Sequence, residues 1–421
     1  MANATGPIRV AWLDGLRGIA ALQVVALHYV SAFLPGIALV DPGLTRFAWE
    51  SWFRNTPLFI LVDGYASVYV FFLISGVALT YAFGTASFAI GPAVARRIVR
   101  LGLPMAASLL LAALFWASWP EARTAAGQVT GAPQWLTIGP GLTIGPDRVS
   151  PWPLAREILF DGLFLGHAGA NSSLLPGLNQ WGVTDFRQSF NSPIWSLHLE
   201  FYGSLLVMVL ALVRATLGRR VHRILCVATL SVLGAHPMGL FAIGHCLAPC
   251  FLSPRWRDWT RTAAARYAGC GCLALASVLA AHIAPNILFL PFEAIPLALG
   301  LPAVVNAFFV ESILEAVLIF IGVACLAGVQ DALSRPATRY LGRLSFSVYL
   351  VHFPIVMTLV PAIYLAPRGG ITAACVVAAA VTAGLAWLFE RYVDAPATRL
   401  SRGIGRTVPP AARLILSETA A

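Results

Sequence analysis

The 421-residue sequence contains no lysine and little charge of either sign. Only 11% of its residues are charged, about half the share found in soluble domains. Hydrophobic residues make up 58% of the chain. Too few polar groups are present to cover a soluble surface, so the composition excludes a soluble globular protein and indicates a chain that packs against lipid and against its own helices.

The positive charge comes from arginine alone and gives a formal net charge of +10. The arginines cluster after apolar segments, which is the pattern of cytoplasmic loops in membrane proteins. No soluble segment combines a basic stripe with interleaved aromatic residues, so we do not expect nucleic-acid binding. No small-residue cleavage site follows the first apolar run, and we therefore expect the first helix to be retained.

The seven cysteines do not form a metal-binding pattern. The pairs Cys246/Cys250 and Cys270/Cys272 have no histidine or carboxylate at ligand spacing beside both of them. We therefore expect no metal site and interpret the cysteines as free, buried, small hydrophobic residues. The histidines outside the motifs below, at positions 222, 236, 245 and 282, are interpreted as structural.

Ten membrane spans are predicted. A span needs about 20 apolar residues, and the stretch 223–253, interrupted before Pro237, is interpreted as two short helices that turn there. Eight other segments are long enough for one span each: 12–34, 58–83, 98–119, 193–213, 267–285, 305–329, 345–365 and 371–391.

Ten spans with both termini inside place every arginine cluster on the cytoplasmic face. This requires that segment 154–168, which contains Asp161 and His167, does not cross but forms a re-entrant or interfacial helix; if it crosses, one cluster falls outside. The polar region 120–192 then lies outside the membrane and is long enough to be functional. We predict an all-α polytopic transmembrane bundle with one domain, 1–405, and a cytoplasmic tail, 406–421.

The first helix carries ionisable residues where they are costly and usually functional. Arg17 and His28 are eleven residues apart, so they share one helix face at a separation of ~16 Å. His28 should lie at or beyond mid-membrane, and imidazole is well suited to move protons near neutral pH. The alternative is a histidine that only hydrogen-bonds a neighbouring helix.

Glu200 lies roughly two turns inside the fourth span, close to the expected depth of His28. A carboxylate there would orient a histidine and stabilise its charged form. The alternative is an ion pair with an arginine that serves packing alone. His198, two residues away, projects from another face.

Two further groups of polar residues stand out. Arg97 and Arg100 present two guanidinium forks on one helix face, which suits phosphate oxygens; the alternative is ordinary cytoplasmic charge. Ser345, Tyr349 and His352 fall on one side of a helix in which Pro354 frees a backbone carbonyl, and the alternative is a polar helix–helix contact.

These residues belong to a set of motifs that occur in a fixed order along nearly the whole chain. In these motifs and in their order, the chain resembles the acyltransferase 3 family of membrane acyltransferases. The motifs are Leu13-Asp14-Gly15-Leu16-Arg17-Gly18 with His28, Val70-Phe71-Phe72-Leu73-Ile74-Ser75-Gly76-Val77, Arg97-x-x-Arg100, Trp195-Ser196-Leu197 with Glu200 and Tyr202, the run 345–352, and the run 390–396.

The resemblance implies transfer of an acyl group, most often acetyl, from a cytoplasmic acyl-CoA to a hydroxyl of an extracytoplasmic or membrane-linked glycan or lipid. It implies that His28 is central to catalysis and that Arg97 and Arg100 serve the donor. We assign the candidate residues as follows: catalytic His28, Glu200 and Arg17; donor-binding Arg97, Arg100 and Arg96; supporting polar residues Ser345, Tyr349, His352, Trp195 and Tyr202.

Direct transfer and a transient acyl-histidine both remain open, because no serine or cysteine stands out as a nucleophile beside His28. We expect no permanently bound cofactor, with acyl-CoA as co-substrate, and contacts with membrane lipids in a bacterial inner membrane. Two departures from the family pattern, Leu101-Gly102-Leu103-Pro104 and Asp394 before Ala395-Pro396, are expected to leave the chemistry untouched. The rival interpretations are a transporter of an organic anion or lipid and a membrane sensor or scaffold; oligomeric state is not set by the sequence.

Overall fold

The computed structural model describes residues 10–37, 45–84, 89–119, 121–131, 136, 138–140, 151–169, 184–281 and 307–405. Among these residues the only strand-like feature is an isolated bridge between Ala168 and Asp185. The all-α prediction is therefore confirmed. The α-helices of the first half are α1 Ala11–Phe33, α2 Trp49–Arg54, α3 Gly64–Gly84, α4 Ile90–Ser118, α5 Ala122–Thr130, α6 Trp152–Arg156 and α7 Trp195–Thr216.

The second half of the chain continues the same architecture. Its α-helices are α8 Gly218–Leu233, α9 Pro237–Leu252, α10 Pro254–Trp259, α11 Ala263–Ala280, α12 Ala307–Cys325, α13 Ala327–Leu333, α14 Pro336–Met357, α15 Leu359–Leu365, α16 Ile371–Phe389 and α17 Ala395–Gly403. Short 3₁₀ segments, Pro57–Leu61, Phe186–Gln188 and Ser192–Ile194, and two π-helical segments, Glu157–Leu165 and Glu390–Asp394, connect or extend these helices.

Within the described residues, seven helical stretches are long and apolar enough to cross a membrane. An eighth is reached if α12 and α13, bent by 95° at their junction, form one span. The stretch 223–253 does form two short helices, α8 and α9, on either side of a break before Pro237. Ten spans and cytoplasmic termini stay predictions, and the tail 406–421 lies outside the described residues.

Two spans begin earlier than the apolar pattern predicted. Helix α4 begins at Ile90 instead of residue 98, and α14 at Pro336 instead of residue 345. The additional turns contain the arginines that follow or precede the apolar runs. Long basic side chains extend from a helix toward a polar environment, so a helix continues past the end of its apolar part.

Glycines set the closest helix contacts. A Cβ on Gly342 of α14 would lie 1.9 Å from the Asp14 carbonyl oxygen of α1, and one on Gly18 would lie 2.7 Å from the Gly342 backbone nitrogen. Helices α3 and α9 cross in the same way at Gly76 and Gly244. Small residues permit such backbone approach in membrane proteins, where close packing replaces the hydrophobic drive between helices.

Residues 152–169 and 184–192 are joined by a buried polar network. The Glu157 carboxylate accepts hydrogen bonds from Ser189 and from the Phe190 backbone nitrogen, and it lies 3.0 Å from His167 Nε2. Asp161 accepts from Thr184 at 2.7 Å. The predicted helix in 154–168 is therefore present as α6 and the π-helical segment, while its course relative to the membrane stays a prediction.

The carbonyl freed by Pro354 has a partner. Proline lacks the N–H that would bond the carbonyl of residue 350, and the Asn191 side-chain amide donates to Leu350 O at 2.8 Å. The loop before α7 is thereby fixed to the middle of α14.

All seven cysteines are free. The expectation of burial is correct for Cys226 and Cys325 but wrong for Cys246, Cys250 and Cys270, which are exposed on the surface of the protein. A helix face directed at lipid needs no protein cover, so an apolar run does not specify which of its residues are buried by other helices.

Candidate functional site

An arginine-lined cavity of about 490 Å³ opens between helices α1, α3, α4, α7, α14 and α17. We call it the arginine cavity. It brings together residues that are up to 385 positions apart in the sequence. Five guanidinium groups line it, those of Arg17, Arg96, Arg97, Arg100 and Arg402, together with Glu200, Ser75, Ser196, Ser345, Phe71, Phe346 and Tyr349.

Two of these arginines are held by carboxylates. Arg97 donates to Glu200 at 2.8 Å, and Arg100 donates to Asp394. The Arg100 guanidinium also lies over the Phe346 ring, 5.0 Å from its centroid. Arginines outnumber the carboxylates at this cavity, so it carries net positive charge and favours an anionic ligand.

A second cavity of about 290 Å³ contains His28, and we call it the histidine cavity. Its wall is mainly apolar and aromatic. The residues that line it include Val24, Leu27, Tyr65, Tyr69, Pro193, Trp195 and Phe353, and five residues of the region 120–192: Ile138, Gly169, Phe186, Arg187 and Ser192.

The protonation of the two neighbouring histidines follows from their hydrogen bonds. His352 Nδ1 lies 3.0 Å from the Val348 carbonyl oxygen, which can only accept, so this nitrogen carries the proton. His352 Nε2 is then an acceptor, and it lies 2.7 Å from His28 Nδ1. His28 therefore donates from Nδ1, and its Nε2 carries the basic lone pair. Phe353 packs edge-on against the His28 ring, which limits its rotation.

Val68 and Tyr349 line both cavities and so form the boundary between them. The Tyr349 hydroxyl donates to the Pro193 carbonyl at 2.6 Å and lies 2.7 Å from Ser196 Oγ. These bonds fix the Tyr349 ring between the arginine cavity and His28. The two cavities are thus neighbours separated by one layer of side chains.

The structure differs from the sequence prediction at Glu200. We expected this carboxylate to orient His28, but it pairs with Arg97 in the arginine cavity, and His28 meets His352 instead. The position of a residue along its helix determines its depth in the membrane but not the direction in which its side chain points around the helix axis. Two residues at similar depth therefore need not face each other. The alternative, an ion pair with an arginine, is the arrangement observed.

The departure at Asp394 also has a consequence that the sequence did not suggest. We expected it to lie away from the chemistry, yet it accepts a hydrogen bond from Arg100. The π-helical segment 390–394 turns this carboxylate toward α4. The charge at the arginine cavity is therefore set partly by a residue almost 300 positions away from α4 in the sequence.

The remaining predicted residues divide between the two cavities. Arg17 and Ser345 line the arginine cavity, and Trp195 lines the histidine cavity. Arg96 lines the former and donates to Ile404 O at 3.5 Å. Tyr202 instead donates to the Phe164 carbonyl at 3.1 Å and fixes α7 to the π-helical segment.

Sequence reasoning missed Arg402, which we had counted only among the cytoplasmic arginines. It reaches the arginine cavity because α17 packs against α4. No motif in the sequence distinguishes it from its neighbours Arg399 and Arg406.

The loop region 120–192 supplies part of the wall of the histidine cavity. Arg187 forms an ion pair with Asp185 at 3.0 Å, and its side-chain hydrogen bond lowers the pKa of that carboxyl below its usual range. Gly139 N donates to the Arg187 carbonyl at 2.6 Å. Asp147, another acidic residue of this region, lies outside the described residues.

Comparison with known proteins gives the family of the chain. The chain is 24% identical over 434 aligned positions to "O-acetyltransferase PaAT-1" from Phomopsis amygdali, with 93% of this chain and 84% of that protein covered. No solved structure matches it. The family model described as "Acyltransferase domain" matches residues 10–390. This range includes every residue that lines the histidine cavity and all those that line the arginine cavity except Thr398, Ser401 and Arg402. The chain therefore belongs to the acyltransferase 3 family of membrane proteins and is an acyltransferase.

Proposed function

We propose that this protein transfers an acyl group, most simply acetyl, from acyl-CoA to a hydroxyl of a glycan or lipid acceptor. One observation carries the proposal: a cavity lined by five arginines adjoins a cavity lined by the His28 imidazole, and Val68 and Tyr349 line both of them. A donor held in the first cavity can present its thioester to a hydroxyl held in the second.

The donor fits the arginine cavity by charge. Coenzyme A carries phosphates, and planar guanidinium groups bind phosphate oxygens through paired hydrogen bonds. Glu200 and Asp394 hold Arg97 and Arg100 in place before the donor arrives, which reduces the entropy lost when the donor binds. Arg17, Arg96 and Arg402 supply further positive charge around the same space.

The chemistry assigned to His28 is general base catalysis. His28 Nε2 takes the proton of the acceptor hydroxyl as its oxygen attacks the thioester carbonyl carbon. The carbon–sulfur bond then breaks, the acyl group stays on the acceptor oxygen, and the coenzyme A sulfur receives the proton from His28. His352 keeps the proton of His28 on Nδ1, so that Nε2 is the nitrogen that acts.

The acceptor is proposed to enter the histidine cavity from the side of the long loop. Trp195, Tyr65 and Phe186 offer aromatic surfaces against which a sugar ring can pack, and Arg187 lies at the same wall. The "O-acetyltransferase" name of the relative supports a hydroxyl acceptor.

The arginine clusters support a proposal for which face of the membrane each cavity opens to. If these clusters face the cytoplasm, the arginine cavity opens to cytoplasmic acyl-CoA and the histidine cavity to the opposite face of a plasma membrane, here proposed to be a bacterial inner membrane. The acyl group, and not the whole donor, would then cross the layer formed by Val68 and Tyr349.

The test is turnover by purified protein in detergent or liposomes with acetyl-CoA labelled on the acetyl group. We expect release of free coenzyme A, slow with water as acceptor and faster with added glycan or lipid hydroxyls. The His28→Ala variant should lose this activity while keeping its elution volume on size exclusion. Glycans and lipids from cells with and without the protein, compared by mass spectrometry, would identify the acceptor.

The rival function, transport of an organic anion, predicts another result. Liposomes containing the protein would move labelled substrate across the membrane without cleaving any thioester, and His28→Ala would not abolish that movement. Transport without coenzyme A release would overturn the proposal.

A further inference from the structure

A cluster of two histidines and a cysteine lies apart from both cavities. His222 and Cys226 come from α8, and His245 comes from α9. One imidazole nitrogen of each histidine and the Cys226 sulfur all lie within 4.8 Å of one another. The sequence pattern indicated no more than a structural role for these histidines.

The orientation of His245 is fixed by a partner behind it. Thr80 of α3 donates its only hydroxyl proton to the Gly76 carbonyl at 2.7 Å, so it must accept from His245 Nδ1, which is 2.8 Å away. His245 Nε2 therefore carries a lone pair, and it is directed at His222. A histidine whose rear nitrogen donates to a fixed oxygen is the arrangement that orients metal-binding histidines.

The His222 imidazole faces the lone pair of His245. His222 Nε2 lies 2.8 Å from His245 Nε2, and Cys226 Sγ lies 3.4 Å from His222 Nε2. Two lone pairs cannot face each other at that distance with nothing between them, so either a proton or a cation joins the two nitrogens. Tetrahedral Zn²⁺ with bonds of about 2.0 Å to nitrogen and 2.3 Å to sulfur separates its ligand nitrogens by about 3.3 Å, which requires a shift of roughly half an ångström from the positions observed.

The ligand types select the cation. Two imidazoles and a thiolate suit Zn²⁺, whereas hard cations such as Mg²⁺ and Ca²⁺ prefer oxygen ligands. Cys246, which follows His245 in the sequence, or a water molecule would supply a fourth ligand. His222 and Cys226 are four residues apart, so they project from one face of α8 toward α9.

The cluster also lies on a helix, α8, that has few buried contacts with the rest of the protein. Cys226 is the only buried residue of α8, whereas Val221, Ile224, Val227 and Val232 are exposed. Helix α9, in contrast, is packed against α3 through Gly76 and Gly244. A bond network through the cluster would join a weakly packed helix to the helix that supports the wall of the arginine cavity.

We propose that His222, Cys226 and His245 form a structural Zn²⁺ site that joins α8 to α9. The ion is bound by two imidazole nitrogens and the Cys226 thiolate, with Cys246 or water in the fourth position. Binding releases the thiol proton of Cys226, and the proton on His222 Nε2 moves to Nδ1 of the same ring, so that Nε2 is able to bind the ion and the imidazole stays neutral. The site is separate from the acyl-transfer machinery and does not depend on the proposed function.

The test uses full-length protein purified in detergent under reducing conditions, with an affinity tag that contains no histidine. After incubation with Zn²⁺ and removal of free ion, we expect about one bound zinc per chain by elemental analysis, as for a structural site. Cys226→Ser and His245→Asn should lower the bound zinc at least tenfold. Cys270→Ser, which removes an exposed cysteine on α11, should leave it unchanged.

Two measurements on the wild-type protein keep the test independent of variant folding. Co²⁺ in place of Zn²⁺ should give a thiolate-to-cobalt charge-transfer band. Zn²⁺ should slow alkylation of Cys226 at least tenfold, as measured by peptide mass spectrometry, and leave alkylation of Cys270 unchanged. Substoichiometric zinc, no thiolate band and an unprotected Cys226 would mean that a shared proton alone joins the histidines, and the proposal would be wrong.

Discussion

The two cavities are adjacent, but their key side chains are held in place by different kinds of interaction. The arginine cavity is charged, and two of its guanidinium groups are fixed by carboxylates. The histidine cavity is mostly apolar, and the His28 imidazole is fixed by a second imidazole and an aromatic edge. Under the proposed function, ion pairs suit a highly charged donor that must be bound and released, whereas an apolar cavity around a base keeps water away from the thioester.

Tyr349 and Val68 separate these environments, and each cavity can therefore be altered without direct change to the other. If the division is correct, substitutions in the histidine cavity change kcat and substitutions in the arginine cavity change the KM for the donor. The predictions below test this division, in order of decreasing expected effect.

The largest effect is expected from His28→Gln. The amide keeps most of the side-chain volume but cannot act as a base, so kcat should fall by about 10²- to 10⁴-fold. The Kd for coenzyme A, measured by isothermal titration calorimetry, should stay within a factor of two of the wild-type value. A variant that keeps kcat within tenfold of the wild type would remove His28 from the proton transfer.

The double variant Arg97→Gln with Arg100→Gln should show the opposite effect, a larger change in the donor KM than in kcat. Glutamine still donates a hydrogen bond to Glu200 and Asp394, so the variant removes two charges without leaving bare carboxylates. Loss of two charge-assisted hydrogen bonds should raise the donor KM by roughly 10²-fold or more, with a smaller change in kcat.

Its matched control is Arg335→Ala with Arg339→Ala, which removes the same charge from exposed positions at the start of α14. If the control raises the donor KM as much as the cavity variant, general surface charge and not the arginine cavity attracts the donor.

A smaller effect is expected at His352, a positioning residue that acts through His28. His352→Phe keeps a stacking ring but removes the acceptor for His28 Nδ1, and kcat should fall about 10- to 100-fold, the range found when a group that orients a histidine is lost. His352→Gln retains an acceptor oxygen and should restore most of the activity. Equal loss in both variants would point to packing as the reason.

The smallest effect is expected from Glu200→Gln. The sequence interpretation placed Glu200 beside His28, which requires a shifted pH profile of kcat. The observed pair with Arg97 predicts an unchanged profile and a donor KM within roughly threefold of the wild-type value. The weaker hold on Arg97 is offset by the loss of a partly screened negative charge near an anionic ligand, and the glutamine oxygen still accepts a hydrogen bond. Activity measured across pH with this variant therefore decides between the two placements.

Much of this protein could be predicted from residue order alone. Apolar run length gave helices at all eight long segments and the short pair α8 and α9, since a helix is the local solution for a backbone in lipid. Spacing along α1 placed Arg17 and His28 on one face, and each lines a cavity. The prediction that Pro354 frees a carbonyl was also correct.

Contacts between distant segments could not be predicted in this way. The pairing of Glu200 with Arg97, of Asp394 with Arg100, and of His28 with His352 depends on how each helix is rotated about its axis and on which neighbour it meets. The meeting of His222 and Cys226 with His245 has the same origin. Rotation is fixed by close contacts such as Gly18 against Gly342, and these arise only when the whole bundle packs, so the sequence determined the helices and their reactive residues while the tertiary structure decided their partners.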